Sequence, residues 1–264
     1  MYPTKYHKAA SIDDAVAALN AGEDAKLLAG GQTLIAAMKQ HLAAPSDLID
    51  VRAIDGMSGV SADGDTLVIG AATTHAEVAG NADVQRLCPA LAALAGGIGD
   101  PAVRYAGTIG GSIANNDPSA DYPAGLLALG ATIVTNTREI AADDFFEGLF
   151  TTALEDGEII TAVRVNAPKR AAYIKFRQPA SLFALVGVFV ADGAGGVRVA
   201  VTGAGEDGVF RHAGLEEALS ADWASSAADS VSVDSDGLLS DIHGSAAYRA
   251  NLIKVLTKRA VEAS

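Results

Sequence analysis

The chain is expected to be an α+β protein. A small βαβ unit is followed by a larger mixed α/β subdomain, then by a C-terminal antiparallel sheet with helices. Three observations carry that expectation. Segments with a helical apolar period alternate with short apolar runs over the first half of the chain. Two glycine-rich turns, Ala29-Gly30-Gly31-Gln32-Thr33 and Gly107-Thr108-Ile109-Gly110-Gly111-Ser112, stand about 80 residues apart among them. Past Arg170, longer apolar strands flank a glycine hairpin, and a helix closes the chain. With 264 residues, 50% of them hydrophobic, a sizeable core is available, and two or three modest domains suit the length better than one.

The first helix is expected over 11–20. Ser11 with Asp14 three residues on has the form of a capping box. Ala15, Val16 and Leu19 make its apolar face, and Gly22 closes it. Lys26 to Ala29 reads as a short strand. Thr33 is expected to cap a second helix reaching Ala43, with Leu34, Ile35, Met38 and Leu42 on one face and Pro45 past its end. Leu48 to Val51 reads as the next strand. Strand, glycine turn, helix and strand make a βαβ unit, with the turn placed where phosphate-binding loops sit.

Thr66 to Ala71 reads as a strand of the larger subdomain. Thr74 is expected to cap a short helix containing Glu77. Val84 to Leu94 reads as helical, with Pro89 a start or a kink. Gly96 to Gly111 holds six glycines and Pro101, so it reads as loop or bulged strand. Asp121 before Tyr122-Pro123 reads as the N-cap of a helix over Ala124 to Leu129. Ala131 to Thr135 and Glu158 to Val165 read as strands. The basic, proline-containing stretch Asn166 to Arg170 reads as a link between domains. The domains are then 1–167, subdivided at about residue 54, and 168–264. Tyr173 to Arg177, Ala184 to Ala191 and Val197 to Thr202 read as strands, the last two joined through Asp192 to Gly196. Gly214 to Leu219, Trp223 to Ser230 and Ala246 to Glu262 read as helices. Ser220 to Ser240 reads as a surface excursion.

Consecutive glycines let backbone N–H groups converge with no side chain in the way. Two such turns brought together can wrap a long anionic ligand such as a dinucleotide pyrophosphate. The net charge of −13 argues against nucleic acid or an anionic membrane as partner, because phosphate contacts there need clustered Lys and Arg. The single cysteine, Cys88, forms no internal disulfide and no metal cluster by itself, and its apolar neighbours read as a core position. The histidines His7, His41, His75, His212 and His243 are scattered, so no metal site is expected. The N-terminus lacks an apolar leader, and no run of about 18 apolar residues occurs. A soluble, cytoplasmic protein is expected.

In order along the chain, these motifs resemble the FAD-binding medium subunits of molybdenum hydroxylases. That family includes the medium subunit of aerobic carbon monoxide dehydrogenase and the flavin domain of xanthine dehydrogenase. The resemblance runs through Ala29 to Leu34, Gly107 to Ser112, Asn116 to Pro123, Phe145 to Gly148, Glu158 to Thr161 and Lys175 to Ser181. It implies a two-subdomain FAD-binding fold followed by the C-terminal domain of this family. It implies that Ala29, Gly30, Gly31, Gln32, Thr33 and Leu34 cradle the pyrophosphate, and that Thr108, Gly110 and Gly111 continue the cradle. Asp121 matches a carboxylate that contacts the cofactor; as a residue it also reads as a helix cap. Asp117 reads as a turn residue before Pro118. Ile159 or Ile160 matches an apolar residue beside the flavin, with plain strand core as the alternative. Lys175 matches a lysine near the isoalloxazine ring, with a solvated strand lysine as the alternative. Tyr105, just before the second turn, reads as a packing or solvent residue.

Departures are Gln32 where many relatives carry His, Leu182 where many carry a charge, and no cysteine cluster for an iron–sulfur centre in this chain. The function implied is electron transfer: FAD, bound non-covalently, takes electrons from the 2Fe–2S clusters of a small subunit. Those clusters are fed in turn by a large molybdopterin subunit, and the assembly is a dimer of heterotrimers. No catalytic nucleophile or base and no metal ligand is expected here. A stand-alone flavin oxidoreductase and a non-redox nucleotide scaffold are the two other classes.

Overall fold

The computed structural model describes residues 1–264. Its first layer runs β1 (Lys5–Lys8), α1 (Ile12–Ala21), β2 (Ala25–Leu28), α2 (Leu34–Lys39) and β3 (Asp47–Asp50). The three strands are parallel in the order β1-β3-β2. The βαβ unit is therefore β2-α2-β3, with the first glycine turn between β2 and α2. Ser11 caps α1 by accepting from the Asp14 N–H at 3.1 Å, while Asp14 accepts from the Ala10 N–H at 2.8 Å. Helix α2 is shorter than its apolar pattern suggests. His41 takes a left-handed φ of 62°, which ends the helix, and Leu42 is left 77% exposed. Thr33 does not cap it: its backbone is already helical and its side chain makes no capping hydrogen bond. The sequence pattern missed β1, a polar edge strand with no alternating apolar face.

The second layer begins with β4 (Val60–Asp63) and β5 (Thr66–Gly70). Six helices follow: α3 (His75–Gly80), α4 (Ala82–Leu87), α5 (Pro89–Gly96), α6 (Pro101–Arg104), α7 (Ile109–Asn115) and α8 (Asp121–Leu129). Then come β6 (Thr132–Thr135), β7 (Glu139–Ala141), α9 (Ala142–Phe145), β8 (Phe146–Gly148), β9 (Thr151–Thr152) and β10 (Ile160–Asn166). The sheet is antiparallel in the order β4-β5-β10-β6-β7, so β10 enters last and sits in the middle. Two expectations are corrected here, and the reading of Pro89 as a helix start holds. The segment 96–111 is not a strand: Asp100 caps α6 ahead of Pro101, and Thr108 caps α7. The stretch 84–94 is two helices broken at Cys88, with Asn81 capping the first and Pro89 opening the second. Asp121 is not an N-cap: Ala120 holds that position, and Asp121 lies inside α8 with its side chain turned into the protein.

The third layer is a meander of β11 (Arg170–Arg177), β12 (Ala184–Gly193), β13 (Gly196–Gly205) and β14 (Gly208–Arg211). It is followed by α10 (Ala213–Ala221), a 3₁₀ turn over Ser225–Ser230 where a helix was expected, and α11 (Ala246–Glu262). On one face Val186, Val188, Val190, Val199 and Val201 pack against Leu215 of α10 and Leu252, Ile253 and Leu256 of α11. On the other face Phe189, Ala191 and Ala200 join the core that holds Leu91, Leu94, Leu126 and Ile133. Both faces of β12 are thus buried, which explains its apolar run without alternation. No helix is long and apolar enough to cross a membrane.

Candidate functional site

The two glycine turns meet. A Cβ at Gly30 would stand 2.4 Å from the Ala106 carbonyl oxygen and 2.6 Å from the Gly107 Cα, so only glycine lets the first turn close on the second. Gly31 has φ +67°, a left-handed conformation that glycine adopts without steric cost. Between the turns opens a cavity of about 570 Å³, within the usual size of small-molecule sites. On its wall, no backbone N–H from Ala29 to Leu34 donates a hydrogen bond within the chain. The last two belong to the start of α2, where first-turn N–H groups have no helical partner. A row of N–H groups converging on one concavity suits an anion. Gln32 leans over it, its Nε2 donating to the Gly30 carbonyl at 3.3 Å.

The second turn is built differently. The N–H groups of Ile109 and Gly110 donate to Thr73 O at 3.1 Å and Ala71 O at 2.8 Å, which docks α7 on the end of β5. Gly111 N–H donates to Thr108 Oγ1 at 3.1 Å, leaving the Thr108 hydroxyl proton for another acceptor. A Cβ at Gly110 would lie 2.6 Å from Ala71 Cβ, whereas one at Gly111 would point to Thr108 Oγ1 at 2.9 Å and Ala29 Cβ at 3.8 Å. Gly110 therefore serves helix–strand packing, and Gly111 faces the first turn. Neither has a positive φ. Past α7, Asn116 takes φ 42° and donates to Gly148 O and Thr151 O, both at 2.8 Å, tying this loop to β8 and β9. Asp117 accepts from Ser119 N–H at 2.8 Å, the turn role read for it.

Asp121, Ile159 and Ile160 also line the cavity. Asp121 is buried, accepting from the Tyr173 hydroxyl and, at 3.0 Å, from Lys175 Nζ. Burial pushes the Asp121 carboxyl up, against the downward pull of Lys175 and Tyr173. Lys175 is not a solvated lysine: its side chain is 4% exposed. It stands behind Asp121 and does not itself border the cavity. Ile159 is 2% exposed and is fixed by its N–H donating to Asn136 Oδ1 at 2.8 Å. Beside it, Glu158 accepts from Arg138 Nε at 2.9 Å and Nη2 at 3.0 Å, and from the hydroxyls of Thr135 and Thr137. The Arg138 hydrogen bonds hold the Glu158 carboxyl down at about 2.

The cavity wall thus brings together Ala29, Gly30, Gly31, Gln32, Thr33, Leu34, Thr108, Gly110, Gly111, Asp121 and Ile159. It also includes Ser112 and Glu158, which lie in the motifs without an assigned role, and His75, Asn115 and Phe183, which lie outside them. Of the three outside the motifs, only His75 carried a signal, as a histidine directly after a helix-capping threonine. Tyr105 is 78% exposed. Cys88 is buried, and burial pushes its thiol up to about 11. The cavity offers unpaired N–H groups for phosphates, apolar walls and the buried carboxylate of Asp121. That donor set fits a flavin dinucleotide.

Comparison with known proteins agrees. Residues 2–168 match the family of FAD binding domains in molybdopterin dehydrogenase. The chain is 36% identical to the carbon monoxide dehydrogenase medium chain of Afipia carboxidovorans, over 97% of this chain and 95% of that one. It is 35% identical to the nicotine 6-hydroxylase medium subunit of Paenarthrobacter nicotinovorans, with the same coverage of 97% and 95%. Its fold superposes on a chain of the carbon monoxide dehydrogenase of Hydrogenophaga pseudoflava with a TM-score of 0.90 at 35% identity, covering 100% of this chain and 98% of that one. The chain belongs to the family of FAD-binding medium subunits of the molybdopterin dehydrogenases, and FAD is its cofactor.

Proposed function

We propose that this chain is the electron-transfer subunit of a cytoplasmic molybdenum hydroxylase complex. Its partners are a small 2Fe–2S subunit and a large molybdopterin subunit, arranged as a dimer of heterotrimers. Bound FAD supplies the redox chemistry between the partner's iron–sulfur clusters and an external acceptor. The observation that carries the reading is the run of unpaired N–H groups from Ala29 to Leu34 on a cavity that Asp121 also lines. Those N–H groups hold the pyrophosphate and offset its charge without an arginine. Thr108 donates its free hydroxyl proton, Gly111 keeps the second side open, and Gly110 holds α7 in place. Asp121 accepts from a hydroxyl or N–H of the cofactor, Ile159 covers an apolar face, and Lys175 sets the local charge through Asp121. The cofactor is held non-covalently, and residues 1–167 and 168–264 are its two domains.

The relatives carry the names of medium chains and subunits of dehydrogenases and hydroxylases, which supports the assignment of partners. The test is purification of the native complex followed by anaerobic mixing with a hydroxylation substrate. The expected result is three polypeptides and bleaching of the flavin band only when all three are present. Substrate-driven flavin reduction by the isolated chain would establish a stand-alone oxidoreductase instead.

A further inference from the structure

His75 borders the same cavity but lies outside both glycine turns. It opens α3 after Thr74, whose hydroxyl accepts from Glu77 N–H at 3.2 Å. Its own N–H donates to Gly107 O at 2.9 Å, and Thr74 and Thr108 form an antiparallel bridge. These contacts tuck the imidazole beneath the second turn. The ring fits there because residue 107 lacks a side chain: a Cβ on Gly107 would stand 2.6 Å from His75 Nε2. Nε2 is thus the ring nitrogen lying against Gly107, itself a wall residue of the cavity.

The residue is 4% exposed, and Nδ1 has no hydrogen-bond partner within the chain. The Tyr122 ring packs beside it, centroids 5.4 Å apart, and the Tyr122 hydroxyl is likewise buried without a partner. Nδ1 is sealed in and meets nothing from outside; Nε2 also makes no hydrogen bond within the chain but is not occluded, and it is the ring nitrogen left for a partner at the edge of the cavity. Burial, and then the charge of Arg104, lowers the imidazole to about 4, so it is neutral at pH 7. A neutral imidazole has one donor and one acceptor nitrogen. It can take part in a hydrogen bond without adding a cation to a wall whose charged members are Lys26, Asp117, Asp121 and Glu158.

We propose that His75 is a further hydrogen-bonding residue of the FAD site, presenting Nε2 to the cofactor from beneath the second glycine turn. The proposal rests on the cavity between the turns being the place where FAD binds. Its test is FAD titration of the full chain after flavin removal, comparing wild type, His75→Leu, His75→Gln and Gly111→Val, with the melting temperature of each flavin-free protein. His75→Leu should bind FAD about tenfold more weakly, and His75→Gln, which restores a side-chain amide, should recover most of that loss at an equal melting temperature. In wild type labelled with ¹⁵N-histidine, the His75 Nε2 resonance should move when FAD is added, a readout that needs no variant to fold. Wild-type affinity in His75→Leu, or an Nε2 resonance unmoved by FAD, would overturn the role of His75. Full affinity in Gly111→Val would overturn the cavity assignment itself. Loss in Gly111→Val with none in His75→Leu removes His75 alone.

Discussion

Lys175 Nζ lies 3.0 Å from Asp121 Oδ2, with both side chains 4% exposed. The contact joins β11 of the third layer to the start of α8 in the second, and Tyr173 from the same strand donates to the other carboxylate oxygen. The pair is a compensated unit at the edge of the cavity. Its influence on a bound flavin is therefore the difference between two opposed charges, with Asp121 the nearer to the cavity.

Lys175→Met should leave a buried carboxylate without its counter-charge, destabilising the chain by about 3–5 kcal/mol. Adding Asp121→Asn should recover much of that loss. The single variants should move the flavin midpoint potential in opposite directions: down for Lys175→Met and up for Asp121→Asn. Lys175→Arg should keep the sign of the charge but disturb the geometry. Denaturant titration of the four proteins of the cycle and spectroelectrochemistry of the two singles measure this. If neither potential moves, the pair is a structural tie remote from the ring.

The glycines should separate into packing and binding classes. Gly110→Ala puts a methyl group 2.6 Å from Ala71 Cβ and should cost about 1–3 kcal/mol of stability with or without FAD. Gly31→Ala must hold φ near +67°, at about 1–2 kcal/mol. Gly111→Val should chiefly lower flavin content, since its Cβ would stand 2.9 Å from the Thr108 Oγ1 and 3.8 Å from Ala29 Cβ, displacing the hydroxyl and narrowing the gap between the turns. Melting temperatures with and without FAD decide. A wild-type melting temperature for flavin-free Gly110→Ala would contradict the packing role.

Glu158 predicts an acid-sensitive step. Its folded value of about 2 lies below the ordinary 4.5. Its stabilisation is therefore complete above the unfolded value and fades as pH falls from about 4.5 toward 2. Glu158→Gln should lose about 2 kcal/mol at pH 7 and flatten that limb of the stability profile. Urea unfolding followed by circular dichroism from pH 7 to 3 checks it. Parallel acid limbs in the two proteins would show that other carboxylates govern the transition.

Acid or heat should release the cofactor intact. The cavity wall contains no cysteine, and its single histidine, His75, is 4% exposed beneath the second turn. Precipitated protein should be colourless and the supernatant should run as FAD on chromatography. Flavin retained by the pellet would mean a covalent link.

The sequence by itself determined whatever is written in neighbouring residues. Ser11 and Thr74 cap the helices they precede, as read, because capping needs a side chain within three residues of a free N–H. The βαβ unit and its glycine turn were legible for the same reason. The apolar run of β12 was legible because both of its faces are buried. Tertiary structure decided the rest. The edge strands β1 and β4 are mostly polar and become strands only by pairing with β3 and β5. Asp121 has the sequence context of a cap, and only packing against a strand more than fifty residues later turns it inward to Lys175. Gly30 and Gly110 look alike in the chain, yet one lets two turns meet and the other seats a helix on a strand. His75 is one scattered histidine until the Thr74–Thr108 bridge carries it under the second turn. Capping and periodicity act over a few residues, whereas burial, ion pairing and the approach of distant turns exist only once the layers have packed.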